Sequence, residues 1–182
     1  MASSSEVHGA GELTLLPRLN SKFQGLQKKA FTGSSWGSED TWQLERSIAD
    51  LSEELISTMR RISPTSRYVT DKLPTNFLLL GLKHILAPQA KVIHVTRNPI
   101  DTCFSNFKKQ YEGKLYFTNS LEKLGEYYVG YADLMEYWKS VLPHDRLYEV
   151  NYEALIAKPE EEAKNLFQFL ELAWDPSYLD FL

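Results

Sequence analysis

The spacing of apolar residues along the chain predicts several amphipathic helices. The clearest begins at the polar cap and acidic first turn of Ser38-Glu39-Asp40 and ends before Pro64. Its apolar residues recur every three or four positions, as one buried helical face requires: Leu44, Ile48, Leu51, Leu55 and Met59. Similar patterns predict helices over residues 75–86, from Pro99 onward, over residues 121–142 and around Leu166. Residues 20–38 are polar and contain three glycines, which predicts a loop or lid.

Three short runs rich in β-branched and aromatic residues predict strands between these helices. They are Tyr68 to Asp71, Lys91 to Thr96 and Arg146 to Val150. The resulting order β-α-β-α-α-β-α predicts an α/β fold, in which a parallel sheet contains these strands and is flanked by helices. In such sheets ligands bind beyond the carboxyl ends of the strands. Those ends are Asp71-Lys72, Thr96-Arg97 and Asn151-Tyr152.

Composition narrows the class of protein further. With 182 residues, 43% of them hydrophobic and 24% charged, we expect one globular domain over residues 1–182. The net charge of -4 argues against general nucleic-acid binding. A single cysteine excludes a disulfide framework within the chain and a cysteine-rich metal site, and we expect no metal. No apolar run approaches the roughly 18 residues of a membrane span. No secretory signal opens the chain, so a cytoplasmic protein is predicted.

The segment after the second predicted strand carries a candidate phosphate site. Arg97 leaves the strand, and Ser105 follows eight residues later, about two turns into a helix. The arginine can offer a two-pronged donor to a phosphate, and the serine can add a hydroxyl. We expect the helix N-terminus to contribute exposed N–H groups and a favourable dipole. Spacing alone leaves a second interpretation open, in which Arg97 pairs with Asp101 and Ser105 has no ligand.

This segment resembles a known family. The pattern Arg-x-Pro-x-Asp-x-x-x-Ser after a strand is similar to the 3'-phosphate-binding motif of sulfotransferases that use 3'-phosphoadenosine 5'-phosphosulfate (PAPS). The resemblance implies that Arg97 and Ser105 hold the 3'-phosphate of PAPS. Two further blocks resemble tyrosylprotein sulfotransferases and bacterial sulfotransferase domains with tetratricopeptide repeats: Thr70 to Phe77, and Asn151 to Leu155 with the later Trp174-Asp175. The implied activity is sulfuryl transfer from PAPS to a hydroxyl acceptor: a protein tyrosine, a carbohydrate or a small molecule.

The resemblance also implies two candidate catalytic residues. Lys72 would contact the transferring group and neutralise charge on the leaving phosphate oxygen. Glu12, in a glycine-rich segment, would be the general base that takes the acceptor's proton. Without the resemblance, Lys72 would be interpreted as a solvated surface lysine, and for Glu12 a loop carboxylate with no catalytic role stays open as an alternative. His8 is a weaker base candidate, and His94, within a predicted strand, is expected to be structural.

One part of the family pattern does not occur in this sequence. The family holds the 5'-phosphosulfate with a Pro-Arg-Ser-Gly-Thr-Thr loop after its first strand, and we expect that loop and strand to lie upstream of Met1. The apolar ending Leu179-Asp180-Phe181-Leu182 likewise suggests truncation. We therefore expect a partial P-loop-like sulfotransferase fold that turns over poorly or not at all on its own. Two alternatives stay open: a nucleotide kinase fragment, and a non-catalytic binding domain of the same fold.

Overall fold

The computed structural model describes residues 4–31, 37–109, 111 and 115–180. The described strands are β1 Val7–Gly9, β2 Tyr68–Thr70, β3 Val92–Thr96 and β4 Leu147–Asn151. The described α-helices are α1 Leu15–Phe31, α2 Ser38–Ile62, α3 Leu80–Leu86, α4 Pro99–Lys108, α5 Leu121–Val141, α6 Tyr152–Ala157 and α7 Pro159–Phe169. Short 3-10 helices cover Pro74–Leu79, Tyr116–Asn119 and Pro176–Leu179.

The chain divides into two compact units, Met1–Ala90 and Lys91–Leu182. The first unit contains β1, β2 and α1 to α3, and the second contains β3, β4 and α4 to α7. The single domain expected over residues 1–182 stays a prediction.

The core of the first unit lies where α1, α2 and α3 pack together. Leu19 of α1 and Leu86 of α3 are almost completely buried, at 0% and 1% exposure. The other buried members of this core are Leu15, Leu16, Leu51, Leu55 and Leu82. Burial of each such leucine is worth about 1.5–3 kcal/mol, so these helices hold the unit together.

The loop or lid predicted over residues 20–38 is wrong for most of its length, because α1 continues to Phe31. Leu15, Leu19, Phe23 and Leu26 follow helical spacing and face the core, although polar residues separate them. This burial outweighs the cost of about 1 kcal/mol for Gly25 in a helix interior. Gly33 lies outside the described residues.

The N-terminal strand β1 was not predicted either. It pairs in parallel with β2, with Val7 opposite Tyr68 and Gly9 opposite Thr70. Its three residues are too few to show an alternating pattern, and only Val7 is buried. Its position nevertheless determines where Glu12 lies.

The second unit is built on a parallel pair of five-residue strands. Val92 lies opposite Leu147, and Thr96 opposite Asn151. The predicted α/β class, with parallel strands and flanking helices, is confirmed. The pairing differs from the expectation of one sheet, since the described strands form two separate pairs, β1–β2 and β3–β4. None of the described helices combines the length and the hydropathy that a membrane span requires.

Candidate active site

The carboxyl ends of β1 and β2 carry Glu12 and Lys72. After the register pair of Gly9 and Thr70, two backbone hydrogen bonds keep the strand extensions side by side. The N–H of Ala10 donates to the carbonyl of Thr70 at 3.0 Å, and the N–H of Lys72 donates to the carbonyl of Gly11 at 2.9 Å. Gly11 has φ +73, which a glycine adopts without steric cost. The chain can therefore turn here and bring Glu12 towards β2.

The side chains of Glu12 and Lys72 form an ion pair, in which the Lys72 ammonium donates to the Glu12 carboxylate. Both remain open to solvent, with 53% of the Glu12 side chain and 71% of the Lys72 side chain exposed. An exposed pair of this kind contributes at most about 1 kcal/mol to stability. The structure thus brings together the two residues that the sequence singled out separately, at the strand edge where ligands of parallel sheets bind. Their catalytic roles stay predictions.

Asp71 joins the two segments that carry this pair. One carboxylate oxygen accepts the N–H of Leu13 at 3.0 Å, and the other accepts the side-chain amide N–H of Asn76 at 3.1 Å. Sequence reasoning placed Asp71 at a strand end but gave it no role. His8, the weaker base candidate, lies within β1, paired opposite Val69.

Arg97 and Ser105 line one surface cavity of about 230 Å³ in the second unit. The remaining lining residues are Asp101, Phe104 and Lys108 of α4. The guanidinium carbon of Arg97 also lies 5.3 Å from the centre of the Tyr152 ring, a cation–π contact that favours one orientation of the arginine. The described ion pairs include none between Arg97 and Asp101. The arrangement therefore favours the phosphate interpretation, which stays a prediction.

The N-terminus of α4 differs from the expectation of exposed N–H groups. The Asn98 side chain accepts the N–H of Ile100 at 2.9 Å and that of Asp101 at 3.1 Å. The N–H of Thr102 donates to the carbonyl of Asn98 at 3.0 Å, and Pro99 has no N–H. Because the cap uses these donors, the described N-terminus of α4 offers the cavity its dipole but not the N–H groups of Ile100, Asp101 and Thr102.

Lys108 also lines this cavity, although it was not singled out from the sequence. It lies three residues after Ser105 and seven after Asp101, a spacing that places all three on one face of α4. Its ammonium lies 5.4 Å from the centre of the Phe104 ring. Without Lys108, the charges of Arg97 and Asp101 would cancel, so Lys108 gives the cavity lining a net positive charge.

Glu153 connects the end of β4 with the start of α4. Its carboxylate accepts the N–H of Asn98 at 2.8 Å. This hydrogen bond lowers the pKa of Glu153 below its usual value, and the nearby charge of Arg97 contributes. Glu153 is therefore ionised at neutral pH and supports the turn between Arg97 and the helix.

The family assignment follows from comparison with known proteins. The model of the sulfotransferase family matches residues 1–176. The chain belongs to the sulfotransferase family. An uncharacterized protein of Aquifex aeolicus (strain VF5) is 29% identical over 185 residues, which cover 100% of this chain and 24% of that relative. The chain thus spans about a quarter of the length of this curated relative.

Two solved sulfotransferase domains share the fold. The sulfotransferase domain from the curacin biosynthetic pathway has a TM-score of 0.61 and 18% identity, with 98% of this chain and 69% of that chain covered. The sulfotransferase domain from the Synechococcus PCC 7002 olefin synthase has a TM-score of 0.60 and 22% identity, with coverage of 92% and 65%. At this level of identity the likeness shows the fold.

His94 of this sulfotransferase chain has a structural environment. Its ring lies between the Glu149 carboxylate, at 3.1 Å, and the Tyr131 hydroxyl. Burial lowers the pKa of His94, although the charge of Glu149 partly opposes this effect. A neutral imidazole held between two partners fits the structural role expected from the sequence.

Proposed function

We propose that this chain carries the sulfuryl-transfer site of a sulfotransferase that uses PAPS as donor and a hydroxyl group as acceptor. The observation that carries the proposal is the contact between Glu12 and Lys72, which are 60 residues apart in sequence. A proton acceptor and a cation lie side by side at an exposed edge of a parallel strand pair. A base and a cation each accelerate sulfuryl transfer to a hydroxyl.

The Glu12 carboxylate would take the proton of the acceptor hydroxyl as its oxygen forms a bond to sulfur. The bond between sulfur and the donor's phosphate oxygen breaks, and the electron pair stays on that oxygen. Lys72 would offset the negative charge that develops there. PAPS supplies the activated sulfuryl group. In the described structure each of the two side chains balances the charge of the other, so neither is an isolated charge before substrates bind.

The cavity of the second unit fits the 3'-phosphate of PAPS. Its lining offers the Arg97 guanidinium, the Ser105 hydroxyl and the Lys108 ammonium. Arginine and lysine bind phosphate through charge-assisted hydrogen bonds, each worth about 1.5–3 kcal/mol. A phosphate monoester, with up to two negative charges at neutral pH, matches this lining better than a neutral group does.

A sulfur-labelled PAPS assay tests the activity. We expect little transfer of label by residues 1–182 alone and clear transfer when the chain is extended at its N-terminus by a Pro-Arg-Ser-Gly-Thr-Thr loop. The acceptor should belong to one of three classes, a tyrosine peptide, a carbohydrate or a small hydroxylated compound, with the tyrosine peptide as our first choice. Glu12→Gln should abolish most of this transfer, whereas binding of adenosine 3',5'-bisphosphate should persist. Binding of the bisphosphate without transfer to any class, even by the chain extended with the loop, would instead support the non-catalytic alternative.

A comparison of thermal stability with two nucleotides distinguishes the sulfotransferase proposal from the nucleotide kinase alternative. Adenosine 3',5'-bisphosphate should raise the melting temperature more than ATP does, because only the former carries a 3'-phosphate. Stabilisation by ATP alone would contradict the proposal. The family match already favours a sulfotransferase over a nucleotide kinase. The cytoplasmic compartment stays a prediction.

A further inference from the structure

We propose that Asp71 is a positioning residue that holds Glu12 and Lys72 in contact. The catalytic consequence rests on the proposed function, whereas the structural claim can be tested without it. Asp71 immediately follows β2 and immediately precedes Lys72. Its carboxylate reaches the segment of Glu12 on one side and the 3-10 helix Pro74–Leu79 on the other.

The backbone around Glu12 is restrained on both sides by consecutive residues of the second segment. Before Glu12, the carbonyl of Gly11 accepts the N–H of Lys72 at 2.9 Å. After Glu12, the N–H of Leu13 donates to the Asp71 carboxylate at 3.0 Å. Glu12 therefore lies between two hydrogen bonds, and only the second depends on a side chain.

The side-chain bond is needed because of the glycine that precedes Glu12. Gly11 has φ +73, and a Cβ at this position would meet no atom within 4 Å. Neither a side chain nor a steric contact therefore fixes the direction of the chain at this turn. The bond between Leu13 and Asp71 supplies that restraint, and without it Glu12 can move away from Lys72.

Asn76 orients Asp71 and restrains the segment that follows Lys72. Its amide N–H donates to the second carboxylate oxygen at 3.1 Å, while its own side-chain oxygen is buried without a hydrogen-bond partner. The carboxylate thus has one donor on each oxygen, from two different segments. An asparagine at position 71 can keep both bonds if the amide of Asn76 turns over to present its oxygen.

This difference predicts opposite results for two variants. Asp71→Ala removes both hydrogen bonds and should separate Glu12 from Lys72. Asp71→Asn keeps an acceptor for Leu13 and a donor for the turned Asn76 amide, so it should preserve the contact. Because Asp71→Asn also removes the negative charge, the pair of variants separates hydrogen bonding from electrostatic attraction to Lys72.

Zero-length crosslinking measures the contact directly. A carbodiimide activates the Glu12 carboxylate, the Lys72 amine displaces the activating group to form an amide, and the reagent leaves as a urea. Peptide mapping by mass spectrometry then gives the yield. The pair Glu160 and Lys164, with an ammonium-to-carboxylate distance of 2.7 Å in α7, is an internal control within the same sample.

We expect the Glu12–Lys72 yield to fall about tenfold in Asp71→Ala, as loss of a charge-assisted hydrogen bond predicts, and to remain near that of the natural chain in Asp71→Asn. The Glu160–Lys164 yield should not change in either variant. An unchanged Glu12–Lys72 yield in Asp71→Ala overturns the inference. So does a parallel loss of the control crosslink, which indicates general unfolding, and so does an equal loss in Asp71→Asn.

Kinetics test the catalytic consequence separately. In the PAPS assay Asp71→Ala should lower kcat about tenfold and leave the KM for PAPS unchanged, and Asp71→Asn should restore kcat. A rise in KM with kcat unchanged contradicts a positioning role. If the chain extended with the Pro-Arg-Ser-Gly-Thr-Thr loop transfers no sulfuryl group to any acceptor while the crosslinking results hold, the proposed function fails and the positioning of Glu12 by Asp71 stands.

Discussion

Replacing Lys108 by glutamine tests whether the cavity beside Arg97 recognises a phosphate monoester. The lining contains two cations, Arg97 and Lys108, and one carboxylate, Asp101. Its formal charge is therefore +1 in the natural chain and zero in Lys108→Gln. The loss of this positive charge should be visible in the affinity for an anion.

The exposure of Lys108 sets the size of the effect. Lys108 lies at the surface, so the interaction has close to the strength it has in water, about 1 kcal/mol for two unit charges 4 Å apart. This predicts a roughly fivefold rise in the Kd for adenosine 3',5'-bisphosphate. Asp101→Asn should lower the same Kd by a similar factor, because it removes a like charge from the phosphate's surroundings.

Titration calorimetry with two nucleotides gives the decisive comparison. AMP lacks the 3'-phosphate, so its Kd should be the same in the natural chain and in Lys108→Gln. Lys164→Gln is the matched control, since Lys164 is an exposed lysine in the same unit that pairs with Glu160. The difference between the nucleotides should shrink as salt is added. An equal loss of affinity for AMP and the bisphosphate, or an increase of the bisphosphate Kd in Asp101→Asn, would refute the charge argument.

Four other variants have expected outcomes. Arg97→Ala should raise the calorimetric Kd for the bisphosphate about tenfold or more, because a two-pronged donor is lost. Glu12→Gln should lower kcat by about two orders of magnitude in the labelled-PAPS assay with little change in that Kd. Leu19→Ala should lower the free energy of unfolding by about 2–5 kcal/mol in urea, since Leu19 is completely buried. Burial depresses the folded-state pKa of His94, so stability should fall as pH drops below about 6.5, and His94→Gln should weaken this dependence in urea titrations at several pH values.

The sequence predicted the elements that have a long apolar pattern, clear start and stop residues, or a run of strand-forming residues. Helix α2 was predicted from Ser38 to a stop before Pro64, and the structure has it over Ser38–Ile62. Strand β3 was predicted within one residue at its start because four of its five residues are β-branched. Helix α1 was missed because its apolar positions are separated by polar residues, and only packing against α2 and α3 shows their common face.

The candidate site could be predicted residue by residue but not as an arrangement. The family resemblance identified Glu12, Lys72, Arg97 and Ser105, yet the contact between Glu12 and Lys72 depends on β1, which is too short to predict. The cap at Asn98 could have been predicted from the sequence, since an asparagine directly before a proline-initiated helix is a typical N-cap. The spacing of Lys108 to Ser105 also places the two residues on one helical face. The sequence alone does not show that the helix extends to Lys108 or that both residues line one cavity.

The arrangement around Glu12 shows how a weak ion pair can still be well placed. An exposed carboxylate–ammonium contact contributes little free energy, so the pair cannot hold its own geometry. Its order must come from the backbone to which the side chains are attached, through the parallel pairing of β1 with β2 and the hydrogen bonds to Asp71. In such a site the fold positions the two charged side chains, and both side chains remain exposed to solvent. The residues most sensitive to mutation should therefore include Asp71, whose carboxylate bonds to Leu13 and Asn76, alongside Glu12 and Lys72.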